Sequence, residues 1–292
     1  MKKDWIFVNT DEKLKSSMKD AGASPLIGLD TEYDSFRYFR EKLCLIQIDT
    51  QARTYIYDPL GDIDFSCLGD ILKDPTITKI IHASGNDIRF LNRDYGYQFH
   101  NIFDTHKAAS LLGTQSLSLP SVIQEYLGIA ITKTKKLQRS RWDIRPLSEE
   151  QLHYAARDTQ YLMDLYRALK EKLEAANLVA DAETAFSQIA ASRWNEKTFH
   201  PKAYLKIEGC EDLEDHQQER LKNLYLWRFE KAKETNRARF MILANHQMVA
   251  LSKEKAFSID SLKETGIIAA RPLNEWGEEI IEILNRLPEA SP

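Results

Sequence analysis

The stretch Pro25–Asp34 (PLIGLDTEYD) constrains the fold most, because a short apolar run in it ends in carboxylates. The run suits a buried strand. A strand alternates its side chains between two faces, so Asp30 and Glu32 share one face and Thr31 points to the other. Two adjacent carboxylates repel unless a positive charge lies between them, and hard divalent cations take carboxylate oxygens. In a chain with 44 acidic residues an Asp-x-Glu pair alone carries little weight; the plain alternative is a strand running out into a polar turn.

Further carboxylates fall at two places where a sheet-based site needs them. Lys79–Ala83 reads as a strand that runs through Ser84-Gly85-Asn86 into a helix begun by Asp87. Ligands of α/β sheets gather at strand ends, although a lone Asp there also complements the helix dipole. The second place is Asp158, inside a helix expected from Ser148 to about Ala175. Ser148 reads as its N-cap, with Gln151 as capping-box partner. Tyr154 lies four residues before Asp158 and shares its helix face. Aspartate gains nothing in mid-helix, so its presence asks for a reason; pairing with Arg157 is the plain one.

Around these positions, 5–8, 26–30, 43–48, 54–57 and 101–104 read as further strands, and short connections make 26–30, 43–48 and 54–57 antiparallel neighbours. Helices are expected over 11–21, 65–72, 87–95, 105–112 and 119–126. A meander followed by alternating strands and helices predicts an α/β mixed sheet covered by helices. From about residue 180 the pattern is helical, and the acidic stretch 208–212 is the linker candidate. At 292 residues the chain suits about two domains, placed at 1–207 (core about 5–175) and 208–292.

No apolar run approaches the ~18 residues of a membrane span, and the N-terminus lacks the apolar core of a signal peptide. Cys44, Cys67 and Cys210 are too far apart for a zinc motif or a disulfide framework and fit a reducing cytoplasm. With a net charge of −4, any nucleic-acid surface must be local. Lys133, Lys135, Lys136, Arg139, Arg141 and Arg145, against the single acid Asp143, form such a patch directly before the helix of Tyr154 and Asp158, suited to backbone phosphates. Trp142 reads as a packing anchor. Phe36, Tyr38 and Phe39 follow the first carboxylates on a loop that either stacks on bases or packs on the sheet. Gln47 reads as an inward polar strand residue near the site.

Taken in order, Leu29-Asp30-Thr31-Glu32, then His82-Ala83-Ser84-Gly85-Asn86-Asp87 with Phe103-Asp104-Thr105, then Tyr154-Ala155-Ala156-Arg157-Asp158 resemble the motifs of the DEDD superfamily of 3′→5′ exonucleases. The likeness is to the ribonuclease D family, in the branch with tyrosine in the third motif, and covers about residues 5–175. Residues from about 211, especially Leu221 through Leu262, resemble a single HRDC domain. Their 12 Lys+Arg against 15 Asp+Glu leave a local cluster, Arg228, Lys231, Lys233, Arg237 and Arg239, as phosphate contacts.

The resemblance implies an RNase H-like mixed sheet flanked by helices, followed by a small all-α HRDC bundle. It implies two divalent metal ions, Mg or Mn, held by Asp30, Glu32, Asp87 and Asp158. Asp30 would bridge both, Glu32 and Asp158 would complete one shell, Asp87 would serve the second through water, and Tyr154 would orient the attacking water. It implies RNA with a free 3′ end as substrate, tRNA precursors among them, with release of nucleoside 5′-monophosphates in the cytoplasm. His82 is either a contact to the terminal nucleotide or a satisfied core histidine; Asp104-Thr105 reads as a helix start. The alternatives are a DNA exonuclease of the same superfamily and a catalytically dead nucleic-acid-binding module.

Overall fold

A computed structural model describes residues 4–131, 135–254 and 258–286. The chain divides into two compact units: unit 1 comprises 1–34 and 42–195, and unit 2 comprises 35–41 and 196–292.

Unit 1 begins with β1 (Trp5–Val8), α1 (Asp11–Gly22), β2 (Leu26–Asp34), β3 (Lys42–Asp49) and β4 (Thr54–Tyr57). There follow α2 (Leu68–Lys73), β5 (Thr78–Ile81), α3 (Gly85–Tyr95), β6 (Ile102–Asp104), α4 (Thr105–Leu111) and α5 (Leu119–Leu127). It closes with α6 (Lys135–Gln138), α7 (Glu149–Thr159), α8 (Leu162–Ala175) and α9 (Val179–Ala190). The six strands form one mixed sheet in the order β1-β4-β3-β2-β5-β6. β2, β3 and β4 are antiparallel neighbours, as their short connections require, while β1, β5 and β6 add in parallel. Leu43 through Asp49 are all buried, the mark of a strand covered on both faces. Each aliphatic side chain so buried contributes roughly 1.5–3 kcal/mol.

The helix expected over 148–175 is two helices. Gln160 N–H turns back to the Arg157 carbonyl and Tyr161 leaves helical geometry at φ −104°, ψ 0°. The break packs against β2. A Cβ on Gly28 would stand 3.3 Å from the Thr159 carbonyl oxygen and 3.4 Å from the Leu162 Cβ. The bare glycine lets the break between α7 and α8 rest on β2. The expected capping box is present: Ser148 Oγ accepts from Gln151 N at 3.2 Å, and Gln151 Oε1 accepts from Ser148 N at 3.0 Å.

Unit 2 carries a short 3₁₀ turn (Ala203–Lys206), α10 (Asp215–Thr235), α11 (Arg239–Ile242), α12 (Asn245–Lys253), α13 (Ile259–Thr265) and α14 (Ala270–Asn285). The sequence boundary at 207/208 falls inside this unit, because Phe199, Ala203, Tyr204 and Ile207 pack into its core with Leu221, Leu224 and Phe229. The same core takes Phe39, whose ring meets that of Phe229 edge-on at 5.3 Å. Phe39 is therefore buried in unit 2 and not packed on the sheet, while Phe36 stays 67% exposed. Arg37 O accepts from Ala238 N, Phe39 N donates to Asn236 O, and Arg40 N donates to Asn236 Oδ1, all within unit 2.

Candidate active site

β2 delivers the first two acidic side chains. Its alternation sets Gly28, Asp30 and Glu32 on the face where α7 and α8 pack, and Thr31 on the other. α7 delivers the third. One carboxylate oxygen from each of Asp30, Glu32 and Asp158 lies within 4.8 Å of the other two. Glu32 and Asp158 are nearly buried, at 9% and 7% exposure. Three converging carboxylates with no His or Cys among them make an all-oxygen donor set, which fits a hard divalent ion such as Mg²⁺ or Mn²⁺.

Tyr154 lies one turn before Asp158 and packs beside the Trp142 indole, ring centroids 5.9 Å apart. Trp142 is buried, the packing anchor expected of it. The Tyr154 hydroxyl is hydrogen-bonded to Asp158. Burial first, then the charges of Asp158, Glu32 and Asp30, push its pKa well above the ordinary phenol range. A phenol held so far toward its protonated form is a hydrogen-bond donor.

Asp87 stands apart from the trio. It opens α3 on the opposite face of β2, where its carboxylate accepts from the Thr31 hydroxyl. Burial pushes its carboxyl up to about 6 against the pull of that hydrogen bond, and the nearby Asp104 adds to the rise. Asp104 is the helix start that the sequence suggests, capping α4 through Lys107 N at 2.9 Å. It also accepts from Ser84 N at 2.8 Å, Ser84 Oγ at 2.6 Å and Ala83 N at 3.3 Å. These bonds hold Ala83 in the left-handed region at φ 58°, which costs a non-glycine residue on the order of 1 kcal/mol. The turn they fix sets where α3, and with it Asp87, begins.

His82 is tied into the same region. Its Nδ1 meets Thr105 Oγ1 at 2.9 Å and its Nε2 meets the Leu117 carbonyl at 3.0 Å. Both ring nitrogens meet internal groups, as the core-histidine reading of His82 expects. Gln47 was legible only as an inward polar residue. It pairs with Asp30 across the β2–β3 ladder, is fully buried, and neither amide atom has a hydrogen-bond partner among the described residues.

The basic patch is smaller than its sequence. Arg141 forms a two-point bond with Asp143 at 2.7 and 2.9 Å. Arg145 ties Asp58 at 2.6 Å and the Cys44 carbonyl at 2.8 Å. Both are structural staples in this geometry. Lys135 and Lys136 belong to α6, Lys136 and the following Arg139 are exposed, and Lys133 lies outside the described residues.

A 3′–5′ exonuclease family profile matches residues 5–174, which is more than half of the chain, and an HRDC domain profile matches 217–284. Ribonuclease D of Escherichia coli (strain K12) is 30% identical over 290 residues, covering 98% of this chain and 76% of that protein. The chain belongs to the 3′–5′ exonuclease family, in its ribonuclease D group. An exosome complex component 10 homolog from Drosophila melanogaster is 30% identical over 258 residues, 86% of this chain, but the chain spans only 28% of that relative's length. The catalytic core of RRP6 from Trypanosoma brucei superposes with a TM-score of 0.87 over 96% of this chain and 79% of its own, at 22% identity, a likeness of fold. Within the ribonuclease D group, the exonuclease profile spans all five predicted catalytic positions, Asp30, Glu32, Asp87, Tyr154 and Asp158. Among the described residues no helix is long and apolar enough to cross a membrane.

Proposed function

We propose that this chain hydrolyses RNA from its 3′ end, releasing nucleoside 5′-monophosphates, with precursors of tRNA and other stable RNAs as the substrate class. The observation that carries the reading is the meeting of Asp30, Glu32 and Asp158, brought from β2 and α7 to within 4.8 Å of one another. These three, with Asp87, would hold two divalent ions, Mg²⁺ or Mn²⁺. Such ions, when bound, polarise the phosphodiester and lower the pKa of an attacking water.

The chain's own groups do the rest. Asp158 accepts the Tyr154 hydrogen bond, which fixes the phenol's direction. The protonated hydroxyl then orients a polar group in the site without taking a proton. Asp104 sets the start of α3 and so the approach of Asp87. Lys133, Lys135, Lys136 and Arg139 would neutralise phosphates of the incoming strand. The three free cysteines fit work in the reducing cytoplasm.

The test is 5′-labelled single-stranded RNA, and DNA of matched sequence, incubated with Mg²⁺ or Mn²⁺, with EDTA and Asp30→Asn as controls. A metal-dependent ladder shortening from the 3′ end, faster on RNA and absent in the variant, is expected. Faster trimming of DNA would reassign the substrate. No ladder with any substrate or metal would leave a binding module in place of an enzyme.

A further inference from the structure

β3 runs beside β2 under α7 and brings a polar side chain next to the carboxylates. The register sets Leu45 opposite Glu32, Gln47 opposite Asp30 and Asp49 opposite Gly28. Directly opposite residues of an antiparallel pair point to the same face, with Cβ atoms about 4.5–5.5 Å apart. Gln47 therefore shares the face of Asp30 and is its cross-strand partner.

Apolar side chains flank it. Leu45, two residues before it, and Ile56, its partner on β4, belong with Ala155 of α7 to one buried apolar cluster. Gln47 itself is 0% exposed, and neither Nε2 nor Oε1 has a hydrogen-bond partner among the described residues. Asp49 makes the contrast. It is equally buried on the same face, but its Oδ1 accepts from Thr54 Oγ1 at 2.7 Å. A buried amide with neither donor nor acceptor engaged carries a desolvation cost that an aliphatic side chain of similar size does not. Leucine or methionine would complete this wall with no polar atom to satisfy. The amide asks for a partner, and the polar side chain opposite it is Asp30, one of the three converging carboxylates.

We propose that Gln47 is a positioning residue for the reaction: its Nε2–H donates to the Asp30 carboxylate and holds that carboxylate in place as it takes up a divalent ion. This rests on the reading above that Asp30 is a metal ligand. An ionised carboxylate has about four lone-pair sites, so it can accept from the amide and still serve as a ligand. The terminal torsion of a glutamine is soft, and turning it brings the N–H across the ladder to Asp30. Groups that hydrogen-bond to a ligating side chain fix its orientation, and their loss lowers metal affinity about 10–100-fold. In this role Gln47 touches neither the ion nor the RNA and acts through Asp30.

The experiment is isothermal titration calorimetry of Mn²⁺ into the full chain, beside thermal melting of the metal-free protein. It compares the unaltered chain with Gln47→Leu, Gln47→Met and Ile56→Val. The last disturbs the same apolar wall on the side of Gln47 away from Asp30. Both Gln47 variants are expected to bind Mn²⁺ about 10–100-fold more weakly. Without metal they should melt no lower than the unaltered chain, since an unbonded amide has been removed. Ile56→Val should melt lower and bind Mn²⁺ as tightly as the unaltered chain. In the ladder assay the Gln47 variants should need a correspondingly higher Mn²⁺ concentration for half-maximal rate, with KM for RNA unchanged. Unchanged Mn²⁺ affinity in both Gln47 variants would overturn the proposal; joined to a lower melting temperature, it would assign the amide to the fold alone. An equal loss of affinity in Ile56→Val would likewise overturn it, because any disturbance of the wall would then act as loss of the amide does. No Mn²⁺ binding by the unaltered chain would overturn both this assignment and the metal site. If Mn²⁺ binding depends on Gln47 yet no RNA or DNA is hydrolysed, the enzymatic reading fails and the role of Gln47 stands. If RNA is hydrolysed and both Gln47 variants bind Mn²⁺ normally, the reverse holds.

Discussion

Asp158 illustrates how a single residue can be read from its cost. In the last turn of α7 an aspartate is opposed by the helix dipole, and here it is also held against two other carboxylates within 4.8 Å. Neutralising one member should relieve that repulsion. Asp158→Asn is expected to raise the melting temperature of the metal-free protein, to lose the further rise given by Mg²⁺ or Mn²⁺, and to lower hydrolysis at least about a hundredfold, the scale on which removing one preorganised charged group acts. Calorimetry with and without metal, beside the ladder assay, checks all three. Asp87 adds a pH dependence of definite sign. Burial raises its folded-state pKa to about 6, above the ordinary aspartate value of 3.8. Below the lower value the group is neutral in both states and costs nothing. As pH rises between the two values, only the unfolded chain ionises, so stability falls, and the loss is complete above the folded value. Metal-free protein should therefore lose on the order of 1–3 kcal/mol between about pH 4 and pH 7 through this group. Asp87→Asn should remove that slope in denaturant titrations, and Mg²⁺ should stabilise the unaltered protein more at pH 7 than at pH 5. The pairing of Asp30 with Glu32 was legible from strand alternation alone. That Asp87 is held by Thr31, apart from the trio, was not, because Thr31's hydroxyl carries no pattern in the sequence.

At the scale of elements, the strands and most helices follow from local rules: apolar runs, Ser148 and Asp104 as caps, Asp74-Pro75 after α2. The break between α7 and α8 does not. Residues 157–165 contain neither glycine nor proline, and the helical pattern runs through them. The break is accommodated on another element, where Gly28 carries no side chain. Gly28→Ala should push back the Thr159 carbonyl and the Leu162 side chain by a few tenths of an ångström. An overpacked contact of this kind costs roughly 1–3 kcal/mol. Because α7 carries Tyr154 and Asp158, the variant should lower turnover more than its change in melting temperature explains. Normal turnover in a destabilised variant would separate the break from the site. The basic segment was overread for a similar reason. Its charge is visible in the sequence, but Asp58, the partner of Arg145, lies 87 residues away.

For the whole molecule, the division into units was legible as a change from mixed α/β to helical pattern, but not the allegiance of residues 35–41. Phe-Arg-Tyr-Phe is too short to show a period, and its partners, such as Phe229, lie far along the chain. A chain ending at Asn195 would keep the sheet yet leave Phe39 without its core. It should express poorly or aggregate, and Phe39→Ser should restore its solubility in size-exclusion chromatography while lowering the melting temperature of the full-length protein. Equal behaviour of both truncated forms would show that Phe39 finds other cover.

The split unit also has a consequence in time. Segment 35–41 leaves the ribosome early, yet the residues that enclose Phe39 begin only at 196, after residues 42–195 have been made. At the ~5–20 residues per second of translation, that interval is about 8–30 s. Throughout it the nascent chain must carry an aromatic segment with no place to go, joined directly to the strand that bears Asp30 and Glu32. Synthesis order thus leaves the second unit to close after the first, and makes its earliest piece wait for its latest.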